Sequence, residues 1–134
     1  MKKTTKLFAM LLFVLSLTTL TSCKKTNEQL IIGKWDCITA TIIIDNEMET
    51  IPQGFRWILD FNNDGVVSSE YYQDGLAHPT ITTSKYIISE NQISFTSFDG
   101  EGSSIYSIKE LTNKKLAIEI SEGNNSAEFE FKRL

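Results

Sequence analysis

Between Leu30 and Ile44 the chain passes from a short apolar lead-in, Leu30-Ile31-Ile32, through Gly33-Lys34-Trp35 into a long β-rich run that closes on Ile42-Ile43-Ile44. A run of this length with one large ring near its start reads as the first strand of a closed barrel. On the two-residue period of a strand, Trp35, Cys37, Thr39, Thr41 and Ile43 share one face, and Lys34, Asp36, Ile38, Ala40, Ile42 and Ile44 the other. The indole therefore enters the interior at one end. Cys37 follows it inward and is expected to be a buried structural thiol, not a reactive one.

Seven further runs repeat the pattern: Phe55 to Asn62, Val66 to Tyr72, Ile81 to Ser89, Gln92 to Phe98, Ser104 to Leu111, Leu116 to Ser121 and Ala127 to Arg133. Phe55, Trp57, Leu59 and Phe61 alternate with Arg56 and Asp60, and Phe129 and Phe131 alternate with Glu128, Glu130 and Lys132. One face of each strand is thus apolar and the other solvated, as in antiparallel sheets. Asn63-Asp64-Gly65, Glu90-Asn91 and Thr112 to Lys115 are short enough for hairpins and belong at one end of the fold. Asp45 to Gly54, Gln73 to Thr80, Asp99 to Ser103 and Glu122 to Ser126 are generally longer and fall at the other. The prediction is all-β: a single eight-stranded antiparallel up-and-down barrel with one closed and one open mouth, preceded by a short helical turn that Asn27 could cap. A Greek-key β-sandwich is the alternative, but it calls for longer crossings between sheets.

Ahead of the barrel, Lys2, Lys3 and Lys6 precede the apolar run Leu7 to Leu17, the layout of a secretory signal and too short for a spanning helix. It ends in Leu20-Thr21-Ser22-Cys23, which resembles the bacterial lipobox; the resemblance implies cleavage before Cys23 and acylation of that residue. An ordinary secreted protein with a small-residue cleavage site is the other reading. The expected organisation is a lipoprotein signal peptide over 1–22, a lipidated tether over 23–29 and a barrel domain over 30–134. Three of the 13 Lys and Arg and none of the 17 Asp and Glu precede Cys23, so the mature domain carries a net charge of about −7. Such acidity argues against nucleic acid and against electrostatic attraction to anionic lipid. Attachment to a membrane then rests on the acyl chains, and two or more of them anchor stably.

Gly33-Lys34-Trp35 after a helical turn, the sequential strands and the terminal Phe131-Lys132-Arg133-Leu134 resemble the lipocalin (calycin) superfamily, in particular the lipocalin-like lipoproteins of Bacteroidetes-type bacteria. In that superfamily an arginine from the end of the last strand covers the tryptophan near the start of the first. Arg133 and Trp35 match those positions, which implies a structural closure made by Gly33, Trp35 and Arg133. Strand direction leads to the same place, because Arg133 shares a face with the inward Phe129 and Phe131. The chain departs from the family in being shorter, in lacking a helix after the barrel, and in lacking the Thr-Asp-Tyr motif of the sixth and seventh strands.

No catalytic constellation emerges. His78, beside Pro79 in a predicted loop, is the only histidine, and hydrolysis needs a nucleophile with a base in reach. Asp60-Phe61-Asn62-Asn63-Asp64-Gly65 fits the opening of a calcium loop, but Tyr71 stands where a bidentate glutamate belongs, and a hairpin is the better reading. Glu128 and Glu130 lie on the outer face. No metal or cofactor is expected. The interior is aromatic, with Trp57, Tyr71, Tyr86, Phe95, Tyr106 and Phe129 as its candidate ligand-binding side chains and Phe131 beside them. An eight-stranded barrel either fills with its own side chains or holds one small ligand. The expectation is a non-enzymatic, monomeric lipoprotein at the outer membrane, facing the periplasm, that binds a small apolar or aromatic molecule anchored by Tyr71 or Tyr106. The alternative is a filled barrel that binds a protein partner through rim residues such as Met48, Ile51 and Leu76.

Overall fold

The computed structural model describes residues 24–134. The signal expected over 1–22 and the lipidation expected at Cys23 lie outside these residues. A single helical turn, α1 (Asn27–Ile31), is followed by nine strands: β1 (Gly33–Ile44), β2 (Glu47–Met48), β3 (Arg56–Phe61), β4 (Val66–Tyr72), β5 (Thr80–Ser89), β6 (Gln92–Thr96), β7 (Ser103–Leu111), β8 (Lys115–Glu122) and β9 (Asn125–Arg133). Thr26, rather than Asn27, caps the turn, because Gln29 three residues on completes a reciprocal capping box with it. Asn27 instead donates to the carbonyl of Glu90 at 3.1 Å and ties the turn to the β5–β6 hairpin.

All neighbouring strands are antiparallel, and β1 pairs with both β3 and β9, which closes the sheet into a barrel of eight. The ninth strand, β2, lies within the segment from Asp45 to Gly54 that the sequence reads as a loop. It folds back on the end of β1 through Asp45-Asn46, both at positive φ as a tight two-residue hairpin requires. The last link also differs from expectation. Glu122 pairs with Asn125, so β8 and β9 are joined by a tight turn at the open mouth.

A larger correction concerns β1. Cys37 pairs with Phe131 but Thr39 pairs with Glu130, so Ile38 is an extra residue, a β-bulge, and is 54% exposed. Beyond it the two faces exchange. Ala40 and Ile42 face inward opposite Phe129 and Ala127, whereas Thr39, Thr41 and Ile43 face out opposite Glu130, Glu128 and Ser126. A second shift in β7 skips Lys109 and lets both Ile108 and Leu111 pack on the core.

That core fills the base of the barrel. Trp35, Phe61, Phe131, Ile31, Leu59, Ile93, Leu116, Ile118 and Val67 are fully buried, and their rings and branches come from six strands and α1. At the base, Trp35 Nε1 donates to the Ile31 carbonyl at 2.7 Å. The Arg133 guanidinium lies over the Trp35 ring, 4.3 Å from its centroid, and donates to the carbonyls of Asn113 (2.7 Å), Ile32 (2.6 Å) and Leu30. Gly33 sits at φ +125°, and a Cβ there would lie 2.6 Å from Arg133 Nη1. Glycine thus serves both the backbone angle and the passage of the guanidinium.

Candidate ligand-binding site

Above the filled base the barrel opens into a cavity of about 160 Å³ lined by inward residues of β3 to β7: Trp57, Leu59, Val67, Ser69, Thr82, Ser84, Phe95, Ser104 and Tyr106. The lower half of the barrel is filled by its own side chains, and the open space lies in the upper half. The difference arises from side-chain size. At the base the inward positions of β4, β5 and β6 carry Val67, Tyr86, Ile88 and Ile93, whereas toward the mouth β4, β5 and β7 carry Ser69, Ser84, Thr82 and Ser104.

Three of the six expected interior residues line this cavity: Trp57, Phe95 and Tyr106. Trp57 Nε1 donates to Ser69 Oγ at 2.7 Å, which fixes the indole against β4. Phe95 and Tyr106 meet edge to face at 5.4 Å, and Phe129 supports Trp57 from behind at 4.9 Å. Burial pushes the Tyr106 phenol up from its ordinary range, which keeps it a neutral O–H donor.

The other two tyrosines go elsewhere. Tyr86 belongs to the base, where it packs edge to face on Phe61 at 5.0 Å and donates its hydroxyl to the Asn62 carbonyl at 2.5 Å. Tyr71 lies toward the mouth beside Phe55 and donates to Gln73 Oε1 at 2.8 Å. It is outside the lining, so the polar anchor expected of it is not available there. Leu59, Val67, Ser69, Thr82, Ser84 and Ser104 are the lining residues that an aromatic search passes over. The same alternation that marks the rings would find Ser69, Ser84 and Ser104, each two residues from an inward tyrosine.

A second hollow of about 470 Å³ lies on the wall where β1 parts from β3, between Cys37–Ala40 and Ile51–Phe55. Cys37 is only partly buried there. Desolvation outweighs the backbone hydrogen bonding of Thr39 and raises its pKa to about 11. The folded protein thus holds this proton more tightly than an unfolded chain does. The stability involved is fully present below the ordinary thiol pKa and is lost as pH rises through about 11. In a chain covering residues 24–134, whose one cysteine is Cys37, iodoacetamide should modify that thiol at pH 8 roughly 100-fold more slowly than a free one. An alkylation profile with its midpoint at the ordinary thiol pKa would contradict this.

The remaining motifs have local uses. Asn62 Oδ1 accepts from the backbone N–H groups of Asp64 (2.9 Å) and Val66 (3.1 Å), so the calcium-like run is a hairpin turn whose asparagine is already engaged. Among the described residues no group of three His, Cys, Asp or Glu gathers as a metal site. His78 is exposed in the β4–β5 loop. Glu130 lies 3.6 Å from Lys115, which also meets Glu110 at 3.1 Å on the outer wall.

A family model for the lipocalin-like domain matches residues 31–118, from the end of α1 into β8. The chain belongs to the lipocalin-like family. Solved structures share the fold. A protein from Bacteroides uniformis is 24% identical over 78% of this chain and 90% of its own, with a TM-score of 0.54. An uncharacterized protein from Bacteroides eggerthii is 13% identical over 77% and 98%, with a TM-score of 0.52. Bovine odorant binding protein, in complex with a selenium-containing odorant, is 14% identical over 84% and 75%, with a TM-score of 0.51. No curated protein matches the sequence.

Proposed function

We propose that this lipocalin-like protein is a lipid-anchored, non-catalytic binding protein that takes one small apolar or aromatic molecule into the upper half of its barrel. The observation that carries the reading is the ring-lined cavity of about 160 Å³ above a closed base. Space inside a closed β-barrel, walled by aromatic side chains, is where small ligands are held in this architecture, and bovine odorant binding protein holds an odorant on the same fold. Non-catalytic behaviour rests on the family and on a lining of rings, aliphatic groups and hydroxyls with no general base beside a nucleophile.

The anchor we propose is Cys23, on the strength of Leu20-Thr21-Ser22-Cys23 after an apolar run. The polar tether then sets a monomeric barrel close to the outer membrane, facing the periplasm, since Lys24-Lys25 follows Cys23 where surface-exported lipoproteins resemble one another in an acidic cluster. Cys23→Ala should move the protein from the membrane to the soluble fraction. Proteolysis of the native protein on intact cells would refute the periplasmic placement.

Native mass spectrometry of the protein purified from its own host tests the function. A small molecule bound at one per chain is the expected result. A stoichiometric protein partner in its place would favour a rim-based interaction module, a reading for which Met48 at 74% and Leu76 at 43% exposure speak.

A further inference from the structure

The cavity lining mixes two chemistries, and together they narrow what fits. Trp57 and Phe95 present ring surface. Hydroxyls from three strands lie between and beside the rings: Ser69 and Thr82 pair directly across β4 and β5, Ser84 is the next inward residue of β5, and Ser104 pairs with Phe95 from β7. Ser69 Oγ accepts from the Trp57 indole, which leaves its own proton to donate. Among the described residues no charged side chain lines the space.

We propose, resting on the binding reading above, that the ligand is an uncharged, single-ring compound carrying at least one hydroxyl, its ring against Trp57 and Phe95 and its hydroxyl among Ser69, Thr82, Ser84 and Ser104. Size sets the ring count: an apolar protein cavity of about 150 Å³ accommodates one benzene, and this one measures about 160 Å³. Polarity sets the functional group. A purely apolar guest would cover these hydroxyls without replacing the hydrogen bonds they make to water, whereas a ligand hydroxyl can both donate to and accept from them. Charge is selected against, because an ammonium or carboxylate would leave water for a site without a counter-charge. Thr82 is exposed, so the hydroxyls extend to the rim.

Four probes of one skeleton test this on the mature chain carrying Cys23→Ser: benzyl alcohol, toluene, benzylammonium and benzoate, with Trp57 fluorescence as the readout. Benzyl alcohol should bind about tenfold more tightly than toluene, the worth of one net hydrogen bond, and both ions roughly 100-fold more weakly than benzyl alcohol. Ser84→Ala with Ser104→Ala removes two of the four hydroxyls and should narrow the preference for benzyl alcohol over toluene while leaving toluene unchanged. Toluene binding as tightly as the alcohol, or an alcohol preference that the double substitution does not reduce, would overturn the hydroxyl selection while the binding function stands. Failure of all four to bind would overturn both.

Discussion

Trp35→Ala is expected to lower the unfolding free energy by about 3–5 kcal/mol, and Arg133→Ala by about 2–3 kcal/mol, with the two losses strongly non-additive. Trp35 is fully buried, so its removal leaves a ring-sized void under the only helix among the described residues. Arg133 ties the end of β9 to two other pieces of chain, the β7–β8 turn at Asn113 and the lead-in carbonyls of Leu30 and Ile32, and lies over the indole as it does so. Some of that loss is recovered, because several of these carbonyls can turn to water once the guanidinium is gone. The planar fork matters more than the charge, so Arg133→Lys should restore less than half of the stability. Urea denaturation of both single variants and the double variant reads the coupling. Strictly additive losses would show that the contact does not act as a unit.

Phe131→Ala is expected to cost about 3–5 kcal/mol, and Ile87→Ala to stay within about 0.5 kcal/mol of the parent. Both residues are large, apolar and in the middle of strands, yet Phe131 is 0% exposed and Ile87 is 67% exposed. Phe131 pairs with Cys37 on one side and Leu116 on the other, and its ring meets Trp57 edge to face at 5.3 Å. It sits between the packed base and the cavity floor, so the variant should also loosen the indole and weaken any guest held against it. Thermal unfolding followed by circular dichroism checks the ranking. Equal shifts for the two variants would contradict the division of inner and outer faces.

That division was legible wherever a strand alternates strongly. Trp57, Leu59 and Phe61 against Arg56 and Asp60, or Phe129 and Phe131 against their glutamates, leave one choice of inner face, and the hairpin signal at Asn63-Asp64-Gly65 sets the register between two of these strands. The second half of β1 was not legible. Thr39 to Ile44 is β-branched or small at every position, so the run suits either face, and nothing local marks Ile38 as the residue that slips out of pairing. Asp45-Asn46 carried a turn signal, but a strand of two residues lies below what periodicity can detect. The rings of the cavity were found because size draws attention. Its hydroxyls were missed because serine and threonine occur as freely on outer walls as on inner ones.

The pairing of Trp35 with Arg133 also has a kinetic side. Each hairpin from β3 to β9 can form between neighbours in the chain, but the seam between the first strand and the last joins residues almost the whole described chain apart. Loop-closure entropy places such contacts late, and folds dominated by them take milliseconds to seconds where helical bundles of this size take microseconds to milliseconds. Until the last few residues arrive, β1 has an unsatisfied edge and the base lacks its clasp. A chain whose β9 is still held back, at a ribosome or part-way through a membrane channel, therefore remains an open sheet, and the barrel closes only once Arg133 is free to reach β1.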